Sequence, residues 1–129
     1  MLHTPTAVGF ISTTDAARAR AFYGELLGLT LSDDGFALVA DVAGAQLRIT
    51  TLPGFKAGEA PAFGFNVPDV SAAAAGLRAK GVEFVRYPFL GDAQDADGIW
   101  TAPDGSKLAW FKDPDGNLLV LGTRKAAAR

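Results

Sequence analysis

The chain contains no cysteine, which excludes disulfides and thiolate metal sites together. Its one histidine, His3, precedes the first patterned segment, so a facial triad of two histidines and a carboxylate cannot be built from one chain. For the same reason no serine has a credible catalytic base. No excess of either charge is present. Twelve Lys and Arg against fourteen Asp and Glu leave a net −2 with the signs interspersed, which removes the electrostatic case for nucleic acid or an anionic membrane. No apolar run approaches the ~20 residues that span a bilayer. Met1-Leu2-His3-Thr4-Pro5-Thr6 has neither the basic region nor the apolar core of a secretion signal, so a cytoplasmic location is expected. A glycine-rich phosphate loop between a strand and a helix is missing too.

What is present is a pattern used twice. Residues 7–13 alternate as a half-buried strand, and Thr14 or Asp15 can cap a helix over 16–27. Ala19, Phe22, Leu26 and Leu27 share one face of that helix, and Gly28 stops it in a left-handed conformation. Three strands are predicted near 29–32, 36–42 and 46–52, with turns at Asp33-Asp34-Gly35 and Val42-Ala43-Gly44-Ala45. Residues 53–61, holding two prolines and two glycines, read as a linker. The order then repeats: a strand over 62–67, Asp69 as cap, a helix over 72–80, Gly81 as stop, and strands near 82–87, 98–102, 106–112 and 118–123. Pro103-Asp104-Gly105 and Pro114-Asp115-Gly116 supply the last turns. The 88–97 stretch is an acidic loop, either a lid or an ordinary solvated connection. Residues 124–129 read as a solvated end. The expectation is one domain over 1–129, with module one about 5–52 and module two about 62–124.

The segment Phe22-Tyr23-Gly24-Glu25-Leu26-Leu27-Gly28, with Asn66-Val67-Pro68-Asp69-Val70 and Lys112-Asp113-Pro114-Asp115-Gly116-Asn117, resembles the vicinal oxygen chelate superfamily of glyoxalases, bleomycin-resistance proteins and extradiol dioxygenases. The resemblance implies an α+β fold: two βαβββ modules whose curved mixed sheets form a cup, helices outside, commonly assembled as a homodimer. Enzymes of the family usually hold a divalent metal in the cup. Carried over one by one, the ligand positions fall on Val8, Ala62 and Val120, and on Arg48 within one or two residues. Three have no donor atom and the fourth is a cation. The expectation is therefore no metal and no cofactor.

Strand alternation assigns the cup lining. Val8, Phe10 and Ser12 point inward from the first strand, Arg48 and Thr50 from the fourth, Asn66 from the first strand of module two, and Leu108, Trp110 and Val120 from the last hairpin. Such a wall suits a small apolar or aromatic molecule oriented by one or two hydrogen bonds. Phe10, Leu108 and Val120 could instead fill a solid core. Arg48 could lie on an exposed surface, since a one-residue slip reverses every side chain. Asn66 is placed among apolar neighbours, where an unpaired amide is costly. Trp100 either closes the rim or packs at a dimer contact. Catalytic residues are not identifiable. Four functions remain open: a binding or sequestering protein, a glyoxalase-type lyase, isomerase or dioxygenase, a metal-free enzyme using Arg48 or Asn66, and an interaction module with a filled cup.

Overall fold

The computed structural model describes residues 1–123; the 124–129 run lies outside the described residues. The chain divides into two compact units. One holds Met1–Gly58 with Asp113–Asn117; the other holds Glu59–Lys112 and the chain from Leu118. The division between Gly58 and Glu59 lies inside the predicted linker.

In the first unit, β1 (Val8–Thr13) is followed by α1 (Ala16–Arg20). Asp15 is its cap: the carboxylate accepts the Arg18 N–H at 3.1 Å. The helix continues as a wider π-type turn, Ala21–Leu26, in which the Leu27 N–H reaches back to the Phe22 carbonyl at 2.9 Å. Gly28 (φ 79°) then lets the Leu29 N–H reach the Tyr23 carbonyl and ends the helix. The strands β2 (Leu31–Asp33), β3 (Leu38–Val42) and β4 (Ala45–Thr51) complete a sheet of order β1-β4-β3-β2, parallel between β1 and β4 and antiparallel elsewhere. Ile11, Leu38, Ala40, Leu47 and Ile49 are buried with Ala19, Phe22 and Tyr23 of the helix. Their strand neighbours of opposite parity stay open.

The second unit repeats the plan. β5 (Pro61–Asn66) leads to α2 (Val70–Ala79), capped by Asp69 through the Ala72 N–H at 3.0 Å. The strands β6 (Trp100–Thr101), β7 (Lys107–Lys112) and β8 (Leu118–Gly122) give the order β5-β8-β7-β6, again with one parallel pair, β5 with β8. α2 covers β7 and β8, burying Val70 and Ala74 with Ala109, Phe111, Leu119 and Leu121. Two four-stranded mixed sheets, each with its helix on one face, make the α+β βαβββ pair that the sequence predicts.

The strand expected over 82–87 is absent. Only Phe84 forms a bridge, with Phe111, while the Val85 N–H reaches the Trp110 carbonyl at 2.8 Å. The reason lies in Gln94, placed by the sequence in a solvated loop but 3% exposed in the structure. Its side-chain oxygen accepts the Tyr87 N–H at 2.6 Å, and its amide nitrogen donates to the carbonyls of Val85 (3.0 Å) and Gly98 (2.9 Å). One side chain thus takes the backbone bonds a neighbouring strand would have made. The loop is correspondingly ordered. It forms a 3-10 turn (Pro88–Ala93), and the Asp95 carboxylate accepts the N–H groups of Asp97 and Ile99.

The Asp113–Asn117 turn of the first unit is built around a carboxylate only 6% exposed. Asp113 Oδ1 accepts the N–H groups of Asp115 (2.9 Å) and Asn117 (2.8 Å). Its Oδ2 accepts the Tyr23 hydroxyl (2.6 Å) and the Asn117 amide (2.8 Å), which also donates to the Ser12 carbonyl. Burial first, and the Asp113 charge second, push the Tyr23 phenol far above its usual range, so it remains a neutral donor. Asp115 binds the end of β1 and the start of α1. It accepts the hydroxyls of Thr13 and Thr14, the Thr14 N–H and the Arg18 guanidinium. Burial alone would raise its pKa; these donors outweigh burial and hold the carboxyl below its usual value.

Two outcomes follow. Gln94→Leu leaves three backbone groups unpaired and lowers the unfolding free energy by about 2–3 kcal/mol in urea titration; unchanged stability contradicts the clamp. A folded-state pKa below the unfolded ~3.9 makes the Asp115 contribution complete above pH 4 and lost as pH falls through the folded value. Asp115→Asn is therefore less stable by about 1–3 kcal/mol at pH 7, and its deficit shrinks on acidification. A deficit constant from pH 7 to pH 2 rules this out.

Candidate functional site

Because each helix covers one face of its sheet, the opposite face of each unit is where side chains meet solvent. On the second unit that face is hollow. Ala62, Gly64, Asn66, Leu108, Trp110 and Val120 line an open concavity of about 510 Å³. Four of the residues expected to bind ligand (Asn66, Leu108, Trp110 and Val120) are thus brought together by register: Val120 lies between Gly64 on β5 and Trp110 on β7, and Leu108 lies opposite Gly122. Leu108, Trp110 and Val120 are only part-buried, so they do not form a solid core. Gly64 keeps the floor low. A Cβ there would sit 3.4 Å from the Val120 carbonyl oxygen.

Trp110 is also the centre of an aromatic cluster. Tyr87 meets it edge to face at 5.2 Å, and Trp100 lies tilted at 6.4 Å. Phe89, 81% exposed, packs on Tyr87 at 5.4 Å. Burial first, then the Glu59 charge, raises the Tyr87 pKa and keeps the phenol neutral. Trp100 thus packs beside Trp110, opposite Leu108 on the neighbouring strand. Tyr87 and Phe89 were missed at the sequence level, because the Gln94 clamp that turns this segment toward β7 joins residues whose pairing no local pattern signals. Among the described residues no protein acceptor meets the Trp110 indole N–H. Asn66, the last residue of β5, is exposed rather than buried. The burial argument for it therefore fails, since its amide remains in reach of water; it is an available donor and acceptor at the edge of the hollow.

The remaining five expected residues lie on the open face of the first unit. Val8 is 47% and Phe10 66% exposed. Phe10 is paired with Arg48, and Ser12 with Thr50. Arg48 donates from Nη2 to the Asp34 carboxylate at 2.6 Å. That bond, followed by the N–H groups of Phe36 and Ala37, lowers the Asp34 pKa to about 2.

Register also compares the two units internally. Phe10 opposite Arg48 corresponds to Gly64 opposite Val120, each pair preceding its capping aspartate by the same spacing. Arg48 and Val120 are therefore equivalent positions, as are Val8 and Ala62, with an irregularity in β5 between Pro61 and Phe63. None of the four offers a lone pair suited to a divalent ion. Among the described residues no three His, Cys, Asp or Glu side chains gather where they could hold a metal. The residues do not fit the metal that the fold's enzymes use.

A second concavity in the second unit, about 530 Å³, has both of its arginines engaged by protein groups. Arg78 lies over the Phe84 ring at 5.7 Å and binds Asp97; Arg86 binds the carbonyls of Gln94 and Asp95. Among the described residues no helix is long and apolar enough to cross a membrane.

Solved structures share the fold. A glyoxalase/bleomycin resistance protein/dioxygenase superfamily member from Sphaerobacter thermophilus superposes with a TM-score of 0.73 at 20% identity, covering 96% of this chain and all of that one. A glyoxalase/bleomycin resistance protein from Streptomyces sp. CB03234 gives 0.66 at 24% identity, covering 92% and 100%. Oxidase ChaP-H2 gives 0.66 at 19% identity, covering 98% of each chain. No curated protein sequence matches the chain. The superfamily profile itself matches residues 4–121, nearly the whole length, and the chain therefore belongs to the glyoxalase/bleomycin resistance protein/dioxygenase superfamily.

Proposed function

We propose that the chain is a small-molecule binding or sequestering protein that holds a mainly apolar or aromatic ligand on its open sheet faces without a metal ion. The observation that carries this reading is the hollow of about 510 Å³, walled by Leu108, Trp110 and Val120 and edged by Asn66. An aromatic face with an unpaired indole N–H and a free amide can stack a flat ligand and orient it. The competing reading, a lyase, isomerase or dioxygenase of the glyoxalase type, draws support from the oxidase among the structural neighbours. It needs a metal that Val8, Arg48, Ala62 and Val120 do not suit. A cytoplasmic homodimer belongs to the same proposal, the exposed Phe36 supplying apolar area for a partner copy.

Two measurements test it. 2-Naphthol raises the melting temperature of the wild-type protein, as binding to the native state alone must. Trp110→Ala weakens that binding about tenfold or more, and Gly64→Val, which fills the floor of the hollow, weakens it comparably while the protein stays folded. The absence of any shift with wild-type protein refutes the reading. After incubation with nickel, zinc or iron(II) and dialysis, elemental analysis finds far less than one metal per chain; one tightly held divalent ion per chain overturns the metal-free site.

A further inference from the structure

Arg48 stands in the first unit at the position equivalent to Val120 in the second. Its side chain is only 25% exposed, yet it has a single protein partner, Asp34. Among the described residues nothing else bonds the guanidinium, which carries five N–H donors in a fixed fork. Among the described residues Arg18 binds Thr14 and Asp115, Arg78 the carbonyl and the carboxylate of Asp97, and Arg86 two carbonyls, while Arg20, with Asp33 alone at 3.9 Å, has a side chain 51% exposed.

Register tells where the fork lies. Leu38 is opposite Ile49, so the turn that carries Asp34 is at the Thr50 end of β4. The ion pair draws the guanidinium toward that end. Ser12 is opposite Thr50, on the same open face as Phe10 and Arg48 and one same-face step, about 7 Å, further along. Among the described residues neither the Ser12 nor the Thr50 hydroxyl has a protein partner. Two free hydroxyls and the free edge of a guanidinium thus share one stretch of sheet with the exposed ring of Phe10. Asp41, the other carboxylate of this face, is opposite Gln46 at the far end.

We propose that this face binds the carboxylate of a flat organic acid on Arg48, Ser12 and Thr50, with the ring against Phe10, and that Asp34 is a resident anion which the ligand displaces. A planar fork matched to a carboxylate gives the recognition that a point charge does not. The chain's net −2 repels anions at a distance, so selection must come from this local cation. Asp34 sets a threshold: while it occupies the fork, the binding-competent fraction is reduced, and weak anions such as chloride are excluded. The proposal deepens the binding reading, on which it rests, by naming the ligand class.

2-Naphthoate and its neutral isostere 2-naphthamide separate the two. By titration calorimetry, wild-type protein binds naphthoate more tightly than naphthamide by about tenfold. Arg48→Met removes that preference, with the naphthoate affinity falling to that of the amide. Asp34→Asn keeps the oxygen that accepts the Phe36 and Ala37 N–H groups but removes the competing charge. It tightens naphthoate about fivefold and leaves the amide within twofold. Equal ratios of the two probes in wild type and both variants overturn the Arg48 assignment and leave the binding reading standing. Binding of neither probe to wild type overturns the reading itself and this proposal with it.

Discussion

Each sheet of this protein has a helix on one face only, and strand alternation converts that asymmetry into two chemically different surfaces. Residues of one parity (Ile11, Leu47 and Ile49 in one unit, Ala109, Phe111, Leu119 and Leu121 in the other) are sealed under α1 or α2. Residues of the opposite parity are left facing solvent whatever their chemistry. That is why Phe10, Leu108 and Trp110 remain accessible although each would be ordinary core material elsewhere. The open faces are a consequence of topology, and their residues decide what the topology is used for.

Buried polar side chains hold the parts that sheets and helices leave loose. Asp113 gathers four donors, including the buried Tyr23 phenol, and fixes a turn that a proline and a glycine merely permit. Gln94 closes the backbone of a segment that meets β7 only at Phe84 and Val85, and so steers Tyr87 and Phe89 toward Trp110. In both places a carboxylate or amide substitutes for secondary structure. Its loss costs more than the bonds themselves because the partners are stranded away from water.

What was legible in the sequence depended on how local its cause was. Asp15 and Asp69 cap helices through bonds three residues away, and Gly28 ends one by its own backbone angle, so both could be read directly. The parity of β1, β4, β7 and β8 followed from alternation, and with it the grouping of Leu108, Trp110 and Val120. The segment around Val85 has the composition of a strand, but the partner it received was a glutamine side chain, which alternation cannot reveal. Asn66 appeared costly because its neighbours are apolar, whereas its place at the end of β5 leaves it in water. The Arg48–Asp34 pair depends on a turn folding back beside β4, a tertiary fact with no signature in either residue.

At Val8, Arg48, Ala62 and Val120 this chain has aliphatic carbon and one guanidinium, which offer no lone pair to a divalent ion, and the proposed reading is accordingly one of binding. The most direct measurement is a titration of isotope-labelled protein with 2-naphthol, followed by NMR. The account predicts that the Trp110 indole N–H, the Asn66 side-chain amide and the Gly64 backbone amide shift most and saturate together. Saturating shifts confined to the Arg78 and Phe84 groove, with those three signals unmoved, would contradict it.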